Sequence, residues 1–247
     1  MLNALTNSSY KTSNAAIGTT FETVKLSLYE RNHISYEFFD TAGLNEATNG
    51  LVDPAAACDN ILKLIEECTE GFNLLILVVR IGAILESDKT NYEMFASNLT
   101  NKKIPVLCVI TGCENVEPAM MDYVKDNSKH FSDREMIFNQ ILATCFAQGG
   151  RLEEYYRPLR ENSSNEVWTA IEKAASCQSI ITLTKETGSI KKTYIKMWNA
   201  FCRFVKRSSW QIELPYCQNI YEMLDRMGIK DETKKKNIST RFMQVMN

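Results

Sequence analysis

The run Leu74-Leu75-Ile76-Leu77-Val78-Val79, inside the strand-like segment 72–81, limits the fold more than any other feature. Six consecutive aliphatic residues cannot alternate between core and water, so a strand built from them must be covered on both faces. Such strands belong to parallel sheets, whose crossovers carry helices. A second run, Ile104–Ile110, has the same character, and 136–146 reads as a third buried strand. The intervening segments have helical spacing: Ser87–Leu99 opening on a Ser/Asp cap, Pro118–Phe131, then Leu152–Leu159 and Asn165–Ala175. The expected fold is therefore α/β, a doubly wound, mostly parallel sheet.

The N-terminal part has a different rhythm. Leu2 to Thr6 reads as the end of a helix and 7–18 as a polar loop. Phe21–Tyr29 and Ile34–Phe39 alternate around the polar turn Glu30–His33, which predicts a hairpin. The second strand delivers Asp40-Thr41-Ala42-Gly43-Leu44, a carboxylate followed by a small turn at a strand end. Pro54 fits the first turn of a helix running to Cys68.

Charge divides the chain unevenly. Residues 1–177 hold 15 Lys+Arg and 24 Asp+Glu, a net of −9, whereas 178–247 hold 13 and 6, a net of +7. The expectation is an acidic domain over 1–177 and a basic helical extension over 178–247. An acidic body argues against nucleic acid as the main ligand. In 191–207, Tyr194, Trp198, Phe201 and Val205 form one helical stripe and Lys192, Lys196, Arg203 and Arg207 another. That helix either packs its aromatic side on the body or offers a surface to an anionic membrane or a partner helix. Two further helices are expected at 215–227 and 231–245. The N-terminus lacks a basic region and a long apolar core, no run reaches the ~18–20 residues of a membrane span, and the eight cysteines are scattered through apolar segments. A reduced, cytoplasmic protein is expected, without a zinc site.

Four pieces at strand ends could serve a nucleotide. Thr19 and Thr20, in a loop with Gly18, carry hydroxyls suited to Mg²⁺. Asp40 would hold a metal-bound water and the Gly43 N–H a γ-phosphate. Thr111-Gly112-Cys113-Glu114 follows the second buried strand, and a carboxylate there can accept the ring N–H and exocyclic amine of guanine. Ala143-Thr144-Cys145 follows the third, where a backbone N–H could meet the base oxygen. Each piece also has a plain reading as a strand-exit turn or a core strand.

In this order the pieces resemble a GTP-binding G domain. Gly-Thr-Thr followed by Asp-Thr-Ala-Gly-Leu is similar to TrmE/Era-like GTPases. Thr-Gly-Cys-Glu resembles the Thr-x-x-Glu form of the immunity-associated (GIMAP-type) GTPases, and the basic helical extension fits that pattern too. The resemblance covers roughly 1–160. It implies a P-loop GTPase-like fold and GTP/GDP with Mg²⁺ as cofactors. Thr20 and Asp40 would then sit on the metal, and Thr19, Gly43, Thr111, Glu114 and Thr144 around the nucleotide. It also implies a switch with slow hydrolysis, and a homodimer across the nucleotide face.

Two departures qualify it. No G-x-x-x-x-G-K-[ST] occurs, and Leu2-Asn3-Ala4-Leu5-Thr6, which in these families follows the phosphate loop, comes directly after Met1. The sheet is thus expected to lack its first strand and phosphate loop, through a truncated gene model or through degeneration. Leu44, not a water-orienting Gln, follows Gly43. The alternative function is a nucleotide-free pseudo-GTPase that acts as a protein-interaction module.

Overall fold

The computed structural model describes residues 1–7, 23–41, 62–64, 66–67, 71–100, 102–176, 190–204, 224–225 and 229–246. Thr19, Thr20 and Gly43, and most of the helix expected from Pro54, lie outside the described residues. Two compact units emerge: 1–12, 72–96 and 102–180 form the first, and 13–71, 97–101 and 181–247 the second.

The first unit is built on a parallel sheet of three described strands, β5 (Leu75–Arg80), β6 (Val106–Thr111) and β7 (Gln140–Thr144), in the order β5-β6-β7. The register pairs Arg80 with Thr111 and Thr111 with Thr144, so the three carboxyl ends are level. One face is a continuous apolar core. Val79, Val106, Cys108, Ile110 and Ala143 project to the same side and meet Tyr92, Ala96, Phe131 and Met136. Tyr92 comes from helix α2 (Glu86–Tyr92), which continues as a π-helical turn through Leu99, and Phe131 from α3 (Met120–Ser132). On the opposite face Leu107, Val109 and Leu142 are also buried. There α4 (Glu153–Ser176) packs against β6 and β7. This layering is α/β and compatible with a Rossmann-like fold.

Expectation and structure part at four places here. β5 is not covered on both faces: Val78 is 44 % exposed. It is an edge strand among the described residues, and α4 lies over the other two strands. The cap of α2 is Leu85, with Ser87 buried inside the first turn; the Asp88 carboxylate reaches back to accept the Leu85 N–H at 2.9 Å. In the same way Asp122 accepts the Ala119 N–H, so α3 begins at Met120, not at Pro118. Finally, the two helices expected between 152 and 175 are one, running through Pro158. Its polar middle is held from the sheet side, because Ser163 is fully buried and accepts the Cys145 N–H at 2.9 Å. The short α1 (Leu2–Thr6) joins this layer when Trp168 donates its indole N–H to the Leu5 carbonyl at 3.1 Å.

The second unit contains the hairpin and the C-terminal helices. β1 (Thr23–Lys25) pairs antiparallel with β4 (Phe39–Thr41), and β2 (Tyr29–Arg31) with β3 (Ile34–Tyr36). The turn is only Asn32-His33, both with positive φ (51° and 62°), the geometry of a two-residue hairpin connection. Between the two ladders Leu26 to Leu28 oppose Glu37 and Phe38, three residues against two. That bulge shifts the register by one, burying Leu26 and leaving Leu28 69 % exposed. Helix α5 (Ile190–Phe204) buries Ile195, Met197, Trp198, Ala200 and Cys202 and exposes Lys192, Lys196 and Arg203. Of the aromatic stripe, Trp198 is described and interior, while the described cations Lys192, Lys196 and Arg203 face solvent. The helix packs against α6 (Glu232–Met246), whose first turn is capped by the Asp231 carboxylate accepting the N–H groups of Thr233 and Lys234. Arg241 of α6 grips Glu66 with its guanidinium, Nε lying 2.8 Å from Oε2. No described helix is long and apolar enough to cross a membrane.

Candidate functional site

The carboxyl ends of β6 and β7 carry three of the residues singled out in the sequence. Thr111 closes β6. Its hydroxyl donates to the Val79 carbonyl at 3.2 Å and its own carbonyl accepts the Ile81 N–H at 2.8 Å, which ties the ends of β5 and β6 together. The chain then has to turn sharply. Gly112 does this at φ +85°, a conformation costly to any residue with a Cβ, and a Cβ there would meet the Ile81 side chain at 3.3 Å. The turn drives Cys113 inward, fully buried, where its N–H reaches the Thr144 carbonyl at 3.1 Å. Glu114 comes next and is directed to a cleft.

One oxygen of Glu114, Oε2, is buried, and no N–H or O–H reaches it. The thiol of Cys145 lies beside the carboxylate, but an S–H is a weak donor. Burial, above all, raises the pKa of Cys145, with the Glu114 charge adding to it and the Ala147 N–H opposing. Burial likewise raises Cys113, and Glu114 again contributes. These two thiols are therefore neutral packing groups at pH 7. A buried carboxylate oxygen without a donor costs on the order of 1–3 kcal/mol. A group of this kind at a strand end calls for an explanation.

The cleft has a volume of about 720 Å³. One wall is the segment from Glu114 to Met121, including Glu117 and Pro118; the other is a stripe of α4, Tyr155, Leu159, Asn162 and Glu166. Those four residues stand four, three and four apart, one face of a helix. Ala143 of β7 contributes to the floor. The volume is that of a small-molecule site.

Thr144 is the last residue of β7. It is fully buried and its hydroxyl donates to the Ile110 carbonyl at 2.9 Å. The next N–H, that of Cys145, is taken by Ser163. Thr144 therefore braces the sheet end from inside. The following loop is held by an ion pair invisible to motif reading. Arg160 donates to the Ala147 carbonyl at 2.9 Å and to Glu153 Oε2 at 3.0 Å, while Glu153 Oε2 also accepts the Gly149 N–H at 3.3 Å. The Arg160 hydrogen bond, foremost, holds the Glu153 carboxyl down to about 2. Gly149 has to be glycine here, because a Cβ would stand 2.4 Å from the Glu153 Cα.

Asp40 belongs to the second unit. It sits in β4 opposite Val24, exposed to solvent. Among the described residues no group of three or more His, Cys, Asp or Glu is placed to hold a metal ion. A Mg²⁺ carried by phosphates, one hydroxyl and one carboxylate would not form such a cluster. Thr111, Glu114 and Thr144 thus come together at one sheet edge, while Thr19, Thr20 and Gly43 lie outside the described residues. The α4 stripe and the Glu153–Arg160 pair were missed in the sequence; the four-three-four spacing of Tyr155, Leu159, Asn162 and Glu166 was the available signal. No protein-family model matches the chain, and no curated protein matches it.

Proposed function

We propose that this chain is a guanine-nucleotide-binding protein of G-domain type, a molecular switch whose base specificity resides in Glu114. The observation that carries this reading is Glu114 itself: it lines the cleft at the end of β6, and its buried Oε2 has no N–H or O–H partner. Guanine presents a ring N–H and an exocyclic amine side by side, which a single carboxylate can accept together. Adenine has no such pair, so the same carboxylate selects against it. The level carboxyl ends of β5, β6 and β7 are where open α/β sheets bind ligands. Mg²⁺ is the metal that the resemblance implies, with Asp40 and Thr20, both in the second unit, as the groups suited to it. The 247 residues carry no phosphate-binding Lys in a Gly-rich loop, so without Mg²⁺ the affinity of this chain comes from the base.

Titration by ligand-observed NMR tests this. Guanosine and GDP should bind alike and weakly, with Kd about 1 mM, near 4 kcal/mol. Adenosine should bind at least about tenfold more weakly, and Glu114→Gln should abolish the difference. Equal binding of both nucleosides, or none, would overturn the guanine reading. It would favour the second reading, in which the missing phosphate loop leaves a nucleotide-free module that engages partner proteins.

A further inference from the structure

The α4 wall of the cleft carries a separate message, which rests on the guanine reading but goes beyond it. Every charged side chain among the described lining residues is a carboxylate: Glu114, Glu117 and Glu166. The Asn162 amide donates to Glu166 Oε1 at 3.0 Å, leaving its oxygen as a further acceptor. No Lys, Arg or His is among these lining residues. Beside this acceptor set stands Tyr155, 61 % exposed and one helical turn from Leu159 on the same stripe. An exposed aromatic face beside an acidic cleft is well suited to a flat ring.

We infer that Tyr155 is the stacking residue of this cleft, and that the carboxylates Glu117 and Glu166 restrict its ligand to neutral or cationic purines, against anionic rings. Three arguments join here. A π-face takes a base irrespective of its hydrogen-bond pattern, so stacking on Tyr155 supplies affinity and Glu114 the choice of edge. A carboxylate-lined cleft with low-dielectric walls focuses negative potential, which attracts a positive ring and repels a negative one. A cationic ring also gains from the Tyr155 face itself. The same potential opposes entry of phosphates, so the base enters with its sugar and phosphates directed outward. Glu117 and Glu166 act through the field and not by contact with a defined atom.

Three nucleosides separate the effects at about pH 6: guanosine; 7-methylguanosine, which is cationic there with its N1–H still in place; and xanthosine, which has a carbonyl where guanosine has its amine and is partly anionic. With the full chain at low salt, 7-methylguanosine should bind at least about fivefold more tightly than guanosine, and xanthosine should not bind measurably. Tyr155→Ala should weaken both guanosine ligands about tenfold, while Tyr155→Phe should keep them. Tyr155 is exposed, so circular dichroism of these variants should be unchanged. The double variant Glu117→Gln, Glu166→Gln should reduce the advantage of 7-methylguanosine to about one, with guanosine affinity nearly retained. Equal binding of the two guanosines by the unaltered protein, or unchanged affinity in Tyr155→Ala, would overturn the inference; a surviving preference for guanosine over adenosine would then leave the guanine reading in place. Absence of guanosine binding would overturn both.

Discussion

Glu114 and Asp40 look alike in the chain. Each follows an apolar run and adjoins a small turn with glycine. Their surroundings are opposite. Glu114 leaves a six-residue strand, β6, whose residues are buried up to Ile110, and one of its oxygens is buried with no N–H or O–H partner. Asp40 sits on a three-residue strand in a small antiparallel ladder and is exposed. A carboxylate fixed and desolvated by a packed sheet can discriminate between ligands, because its partners must be replaced by those the ligand brings. A carboxylate in water has its hydrogen bonds already and gains a role only when a cation gathers other groups about it.

The largest effect that tests this contrast concerns the packing behind each residue. Trp168 is 2 % exposed in the layer over β6 and β7, so Trp168→Ala should lower stability by about 3–5 kcal/mol. Ile34 in the hairpin is 53 % exposed, and Ile34→Ala should stay within about 0.5 kcal/mol. Urea unfolding measures both, and equal losses would mean that the hairpin is as firmly built as the sheet. A smaller effect lies at the carboxylates. Glu114→Met removes a buried acceptor without a donor and should raise stability by about 1 kcal/mol, while guanosine preference disappears. Asp40→Asn should leave both within error, and loss of base discrimination in that variant would break the contrast.

The smallest effect is one of pH. Glu153 is depressed to about 2 in the folded protein, chiefly by its hydrogen bond from Arg160. Its contribution to stability is therefore fully present above the ordinary carboxyl value and is lost as pH falls from there through about 2. The pair is part-exposed, and solvent screening keeps the contribution modest. Relative to Glu153→Gln, the unaltered protein should lose its advantage in thermal midpoint between pH 5 and pH 2. A difference independent of pH would show that the ion pair does not hold the loop at 147–149.

Much of the fold could be read in advance because periodicity is a local property. Ile104–Ile110 is buried at every position, as an unbroken aliphatic run requires. The same rule failed on one face of β5, because composition states that a strand wants cover and not which helix supplies it. The junction of two helical stretches through Pro158 was hidden for a similar reason. It depends on Arg160 and Ser163 reaching Ala147 and Cys145, residues distant in the chain and adjacent only after folding. The position of Glu114 after a buried strand was legible, because it is a sequence fact. The hydroxyl of Thr144 turning inward to Ile110 was not, because burial and the direction of a side chain are not sequence facts.

The sequence by itself therefore determined the α/β alternation, the buried middle strand, the hairpin and the carboxylate at the end of β6. These follow from hydrophobic periodicity and turn chemistry, which act between near neighbours. Only the tertiary structure decided that Glu114 would have an oxygen without a donor, that Tyr155 and Glu166 would face it across a cleft, and that Thr144 would turn inward. Those outcomes depend on which surfaces exclude water from one another. That is settled by packing between distant segments, since desolvation exists only where two of them meet.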